Sequence, residues 1–397
     1  MELIEGSIVS PTGFKAAGVA CGLKPEGRDL ALIVSDRPAN AAGMFTTNQV
    51  TAAPIRLNRT HLQDGQAQAI VANSKNANAC TGDQGLIDAR RMAELSADTL
   101  GLTPEQVLVN STGVIGVPLP VDKIESGIPE AAAQLCEEGW ETAAEAIMTT
   151  DTVTKMATVK ADYAGRALTL CGIAKGAGMI APNMATMLVF LATDATLSPE
   201  DLKTALGEAV SKSFNCITVD GDMSTNDTVL ILANGASEGD RLSGQGNEAF
   251  QEGLDAVCIS LAKQIARDGE GATKLITVRV GGAKCEDDAR KIGLSVANSN
   301  LVKTAVFGKD PNWGRILCAV GYAGVPIEEN RISVSMADIP IYEKGTGLHF
   351  DNDTAVDALS NGEVEIRIDL GEGNEKAEIY TCDLTYDYVR INAEYTT

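Results

Sequence analysis

The sequence predicts an α/β fold in two subdomains. Short apolar runs of strand character alternate with stretches of helical periodicity over the first two thirds, and the last third is mostly strands. A chain of 397 residues is long enough to divide a large core between two units. Aromatic residues make up only 4% of the chain and glycine reaches 39 residues, which suits close packing on Ala, Val, Ile and Gly.

Residues 11–18 are turn-rich. The apolar runs 30–34 and 67–71 read as strands, the first short and buried. Residues 73–82, rich in Asn and small side chains, suit a loop that brings backbone close to a ligand, or equally an ordinary strand–helix connection. Asp83 is placed to cap a helix with Leu86, Ala89, Met92 and Leu95 on one face, closed by Gly101. Residues 107–109 form a strand that runs into Thr112-Gly113. The spacing then predicts helices over 128–138 and 140–148, ended by the cluster Thr149-Thr150-Asp151-Thr152.

A strand over 167–173 leads into a glycine-rich stretch, and 187–192 reads as a buried strand. Ser198-Pro199-Glu200-Asp201 is a strong helix start: a cap, proline at the first position, and acids in the first turn. That helix carries Leu202, Leu206, Val210 and Phe214. The polar loop 219–228 has three aspartates without the spacing or distal glutamate of a calcium loop. A long amphipathic helix through Phe250, Leu254, Val257, Leu261 and Ile265 ends before Gly269-Glu270-Gly271. Two glycines around Glu270 imply a tight backbone and a directed carboxylate, or simply a helix end with a surface acid. Strands follow at 275–280, 331–336, 364–370 and 377–384, with a loop entering a helix at 298–305.

The stretch most suggestive of chemistry is Lys175-Gly176-Ala177-Gly178-Met179-Ile180-Ala181-Pro182-Asn183-Met184-Ala185-Thr186-Met187-Leu188. Pro182 and Asn183 form turns, and Thr186 opens the apolar strand. A hydroxyl presented by a tight turn at the mouth of a strand is a good place for a nucleophile. The only histidines are His61 and His349, so a Ser/His/Asp arrangement has little to draw on. A threonine can do without histidine if it becomes a chain end, because an α-amine with a pKa of about 7.7–8.0 then serves as its base. That requires cutting the Ala185–Thr186 bond. Read alone, a glycine-rich turn before a core strand stands ahead of the catalytic reading. The Gly-Lys-Ser/Thr ending of a phosphate loop is missing. The Thr112 hydroxyl and the Gly113 N–H can donate two hydrogen bonds to one oxygen, or mark a plain strand-to-turn transition. Lys175 is either solvated surface or a point charge for a substrate carboxylate.

The formal net charge of −22 argues against nucleic acid or an anionic membrane as partner. Nine scattered cysteines, none in a CxxC pair, predict reduced and mostly buried thiols, and so few histidines make a zinc site a poor reading. No apolar run approaches the ~20 residues of a spanning helix. The acidic start Met1-Glu2-Leu3-Ile4-Glu5 has neither signal-peptide nor transit character, so the expected location is the cytoplasm.

The 175–188 stretch resembles the self-cleavage motif of the ornithine acetyltransferase family, also called glutamate N-acetyltransferase. The resemblance runs along the chain: 41–48 is similar to an early family signature and 307–315 to a later one. It implies a layered α/β sandwich with self-processing of the N-terminal-nucleophile type. The cut would fall between Ala185 and Thr186, giving an α chain of residues 1–185 and a β chain of residues 186–397 that begins with the nucleophile. The resemblance makes Thr186 that nucleophile and Thr112 with Gly113 the oxyanion hole. It places substrate contacts at Thr149, Lys175, Thr186, Glu270, Asn392 and Thr397, with Glu270 meeting an ammonium group. Thr150 and Thr152 stay open beside Thr149, and the resemblance places the polar loop 219–228 near the substrate.

The implied reaction, in arginine biosynthesis, moves acetyl from N2-acetyl-L-ornithine to L-glutamate by ping-pong on an acetyl-threonine. No cofactor is implied, and acetyl-CoA stays open as a second donor. The implied assembly is a heterotetramer of two α and two β chains. Two rivals remain: an amidohydrolase or aminopeptidase using the same terminal threonine, and a non-catalytic amino-acid-binding protein in which the Thr186 turn is structural.

Overall fold

The computed structural model describes residues 1–163, 166–181, 187–237 and 241–394. Two mixed sheets and the helices that cover them make a layered α/β architecture. The larger sheet holds β1 (Glu2–Glu5), β2 (Phe14–Val19), β3 (Leu30–Phe45), β4 (Gln66–Asn73), β5 (Val107–Ser111), β6 (Lys155–Tyr163), β7 (Arg166–Lys175), β8 (Leu188–Thr193) and β9 (Thr228–Ala233). Their spatial order is β1-β6-β7-β8-β9-β3-β4-β5, with β2 added on β3. The β4–β5 and β8–β9 pairs are parallel and the remaining ladders antiparallel.

β8 and β9 lie in the middle of this sheet, and every residue in both is buried. That explains their unbroken apolar sequences, since a strand covered on both faces has no solvated side to alternate with. Successive side chains still point opposite ways. Val189 and Leu191 join one core with Leu206, Val210, Leu254 and Leu261, whereas Phe190 and Ala192 join another with Trp140, Ala143 and Ile147.

The helices of this half are α1 (Ala53–His61), α2 (Gly82–Leu100), α3 (Val121–Ala133), α4 (Trp140–Ile147), α5 (Pro199–Lys212) and α6 (Gln245–Arg267). α5 and α6 cover one face of the sheet and α4 the other. α2 and α3 pack over the β3-β4-β5 end.

The second sheet comprises β10 (Leu275–Ala283), β11 (Ser333–Met336), β12 (Ile339–Glu343), β13 (Thr346–Gly347), β14 (Glu363–Asp369) and β15 (Glu375–Cys382) in the order β13-β12-β11-β14-β10-β15. Ile276, Val278 and Val280 pack with Ile292, Val296, Val306 and Ile316 from α7 (Glu286–Ala297), α8 (Asn300–Phe307) and α9 (Trp313–Gly321). Arg279 points from β10 to the outer face. A short α10 (Asn352–Ala358) and a final α11 (Tyr386–Glu394) complete the described chain.

Several expectations need correction. The helix expected over 128–138 lies at Val121–Ala133 and continues through Pro129, because Ile124, Gly127, Ile128 and Ala131 bury one face. Gly127 lies so close to Cys21 that a Cβ there would sit 2.4 Å from the Cys21 Cβ. Asp83 is not the cap of α2: Thr81 holds that position, and Asp83 falls in the first turn, where a carboxylate still suits the helix N-terminus. β9 follows directly on the loop 219–228; β2 begins inside the turn-rich 11–18; β1, β6, β12, β13, α1, α7, α9, α10 and α11 have no counterpart in the sequence reading; and the last third, expected to be mostly strands, also carries α7 to α11. Only four of the nine free cysteines are buried; Cys80, Cys136, Cys285 and Cys318 are exposed.

Candidate active site

A cavity of about 290 Å³ opens where six segments converge. Thr112 and Gly113 enter it from the end of β5, Thr149 and Thr150 from the end of α4, and Lys175 from the end of β7. The loop before β9 brings Asp220, Asp222, Met223, Ser224 and Asn226. Glu270 comes from the turn after α6, and Tyr388 with Asn392 from α11.

Gly113 adopts a φ of +131°, and a Cβ there would lie 2.2 Å from the Lys75 carbonyl carbon. Only glycine fits both the conformation and the approach. The backbone is pinned on either side: the Thr112 N–H donates to the Asn73 carbonyl at 3.0 Å and the Val114 N–H to the Lys75 carbonyl at 3.0 Å. Among the described residues nothing accepts from the Gly113 N–H or the Thr112 hydroxyl. Two donors at the cavity therefore have no acceptor among the described residues, which is what an oxyanion needs. Asn226 fastens this corner, its amide donating to the Ala77 carbonyl at 2.6 Å and the Ser111 carbonyl at 2.8 Å.

Lys175 is only 2% exposed and closes the β7–β8 ladder opposite Leu188. Burial pushes its pKa down, and the charge of Asp151 pulls the other way. Its ammonium donates no hydrogen bond to a described residue. Asp151 lies beneath it, accepting from the Gly176 N–H at 2.6 Å and the Thr149 N–H at 2.9 Å. Burial works against the charged Asp151 carboxylate, but Lys155, Lys175 and these hydrogen bonds outweigh it and hold the pKa well below the ordinary range.

Glu270 is buried beside Gly178, whose missing side chain makes room: a Cβ there would lie 2.4 Å from the Glu270 carboxyl carbon. The Glu270 N–H donates to the Ala177 carbonyl at 2.9 Å, and the Asn392 amide donates to its carboxylate at 2.7 Å. Asp220 holds the turn that follows. Its two oxygens accept from the Met179 N–H at 2.7 Å and the Ile180 N–H at 2.9 Å, and the Tyr388 hydroxyl donates to it at 3.3 Å. Met179 is thereby kept at a φ of +57°, a left-handed conformation that costs a side-chain-bearing residue energy. Burial raises the pKa of Asp220, and the backbone donors lower it. One fully buried acid stands just behind the cavity: Asp227, which accepts from the Met187 N–H at 3.0 Å.

The fold thus gathers Thr112, Gly113, Thr149, Lys175, Glu270 and Asn392 around one space, although they are spread over 280 positions, 392 minus 112. Thr150 is with them; Thr152 is not, because it binds Asp268 instead. Ala185, Thr186 and Thr397 lie outside the described residues. Trp313 and Arg315, from the later signature, lie away from the cavity: Trp313 stacks on Tyr342 with ring centres 5.4 Å apart, and Arg315 donates to the Leu301 carbonyl at 2.9 Å. From the early signature, the Thr46 hydroxyl and the Asn48 amide brace the carbonyls of Ser224 and Met223 from behind.

The loop 219–228 reaches the cavity, as the resemblance implies, whereas sequence reasoning missed Tyr388, Asp151, Lys155 and Asp268. A helical reading of 386–394 would have put Tyr388 and Asn392 four apart on one face, and so found the first. Among the described residues no cluster of three His, Cys, Asp or Glu is arranged to hold a metal, and no helix is long and apolar enough to cross a membrane.

The chain matches the ArgJ family over residues 15–397. It is 51% identical to the arginine biosynthesis bifunctional protein ArgJ of Symbiobacterium thermophilum, over the whole of both chains. It is 48% identical to the protein of the same name from Caldanaerobacter subterraneus subsp. tengcongensis, again over the whole of both. Among solved structures it is similar to that of the arginine biosynthesis bifunctional protein argJ from Bacillus halodurans, with a TM-score of 0.51 and 42% identity over 52% of this chain and 98% of that one. On this evidence the chain belongs to the ArgJ family.

Proposed function

We propose that the cavity transfers acetyl from N2-acetyl-L-ornithine to L-glutamate, on Thr186 made a chain end by cutting the Ala185–Thr186 bond. The observation that carries this reading is the pair of donors at Thr112 and Gly113, unaccepted among the described residues, facing a space also lined by the cation Lys175 and by the carboxylate of Glu270 beside those of Asp220 and Asp222. An α-amino acid brings the complement: its carboxylate for Lys175 and, in free ornithine or incoming glutamate, an ammonium for Glu270. A cavity of about 290 Å³ is at the small end of ligand sites, as suits an amino acid.

In the cut itself, the Thr186 hydroxyl attacks the Ala185 carbonyl carbon, the C–N bond breaks, and water hydrolyses the resulting ester. The freed α-amine becomes the base for the transfer. The Thr186 oxygen then attacks the acetyl carbon of acetylornithine, while the Thr112 hydroxyl and the Gly113 N–H take the negative charge that gathers on the acetyl oxygen. Ornithine leaves with the proton the α-amine had taken. Glutamate reaches the same place, its amine attacks the acetyl-threonine, and N-acetylglutamate departs. The two amino acids share one pocket because both offer the same α-carbon groups.

The cut is supported by the Bacillus halodurans comparison: a match that uses 98% of that chain and 52% of this one is what a separately present half would give. The reaction needs no cofactor, and the assembly we propose is two α and two β chains. Intact mass analysis of the purified protein is expected to find one chain beginning at Thr186, and Thr186→Ala to give a single uncut chain without transfer. An uncut parent that is fully active would overturn the reading. Release of acetate in place of acetylglutamate would mark the hydrolase, and acetylglutamate made from acetyl-CoA would mark a second donor.

A further inference from the structure

We propose that Lys155, held between Asp151 and Asp268, is the positioning residue of this cavity. One buried ammonium sets where the cation, the anion and the threonine of the site stand relative to one another. The proposal rests on the acetyl-transfer reading above.

The Lys155 side chain is fully buried, as is that of Asp151, and Asp268 is 7% exposed. The Lys155 ammonium donates to Asp151 at 2.7 Å, to Asp268 at 2.6 Å and to the Val153 carbonyl at 3.3 Å, which uses all three of its protons. None of the three charged residues lines the cavity. They are instead tied to residues that do, Asp151 by hydrogen bonds and Asp268 by its place in the chain. Asp151 accepts from the Thr149 N–H and from the Gly176 N–H, and Gly176 follows Lys175. Asp268 ends α6 two residues before Glu270, and the N–H and hydroxyl of Thr152 both donate to it. The segments that follow α4 and α6 thus meet on one nitrogen, and the end of β7 joins them through Asp151, which accepts from the Gly176 N–H.

Lys175 shows why such a device is needed. A buried ammonium with no described hydrogen-bond acceptor is left for an anion, so its place must be fixed through its backbone; the β7 ladders hold that backbone as far as Lys175, and Asp151 holds the next residue, Gly176. A buried ion set contributes little net stability against an apolar replacement, so its worth here lies in geometry. It also spans the proposed cut, with Lys155 and Asp151 on one side and Asp268 on the other.

The test uses the processed enzyme and the variants Asp268→Asn and Lys155→Met. Steady-state rates are normalised to the fraction of Thr186 that can be acetylated, measured by mass. Asn at 268 still accepts from Thr152 but gives Lys155 no charge, so this variant folds even if Lys155→Met does not. If the triad positions substrate contacts, KM for both N-acetylornithine and glutamate rises roughly tenfold with kcat within about threefold. A strut that only holds the fold together lowers the melting temperature and leaves both KM values alone. Two KM values within about twofold of the parent, or a fall confined to kcat, overturn the proposal and leave acetyl transfer standing. Calorimetric binding of glutamate repeats the comparison without turnover. A parent inactive in transfer whose glutamate affinity still drops on Asp268→Asn would unseat the reaction and keep the positioning role.

Discussion

Asp227 shows what burial does to a single carboxyl group. It is fully enclosed, and desolvation lifts its pKa well above the ordinary 3.8, despite the Met187 N–H and the nearby charge of Lys175. Unfolded, it would ionise near 3.8. Above that pH the native state keeps a proton that the unfolded state has released, so stability falls as pH rises towards the elevated native pKa. Asn mimics the neutral acid and still accepts from Met187. Urea unfolding between pH 4 and pH 7 is therefore expected to show a smaller loss of stability with rising pH for Asp227→Asn than for the parent. Equal slopes would mean that Asp227 is ionised in the native protein. The residues that touch the cavity were named through the family resemblance, because on local sequence alone Gly113 reads equally as a strand-to-turn transition, Glu270 as a helix end with a surface acid and Lys175 as solvated surface. Lys155 was not: it reads as one polar position in a strand, and nothing in its neighbourhood announces an aspartate 113 positions away.

Elements were legible where their ends carry their own signals. Ser198 caps α5 as its sequence requires, accepting from the Asp201 N–H at 3.1 Å, and Pro199 opens the helix. No residue of α5 lines the cavity. Ser198→Ala is accordingly expected to cost about 0.5–2 kcal/mol in chemical unfolding while acetyl transfer is unchanged. Where burial decides, the signals misled. The reading of 128–138 starts α3 seven residues late; the helix begins at Val121 and runs through Pro129 because its inner face packs against the sheet. The 16-residue β3 was visible only as its first few residues: its first half pairs with β2 and β4 and its second half with β9, and such long-range pairing leaves no local period to read.

At the scale of the molecule, the boundary between residues 185 and 186 does not follow a division of the fold. β7 belongs to the first segment and β8 to the second, and they share a ladder from Lys175–Leu188 to Leu170–Thr193. β9 of the second segment pairs with β3 of the first. The two pieces that the proposed cut would leave are thus expected to stay together, and to separate on a column only in denaturant. Residues 1–185 made alone should give no folded protein. Without β8 and β9, the remaining strands fall into two groups with nothing between them, and the bare edges of β7 and β3 invite aggregation. Dispersed amide signals from that fragment by NMR would contradict this.

The two central strands also impose a chronology. Because they are supplied by the later half of the polypeptide, scission at Thr186 cannot precede completion of the sheet without leaving it open. The amine on which transfer depends would then exist only in molecules that have already assembled, so that a newly made chain stays chemically silent until its architecture is finished.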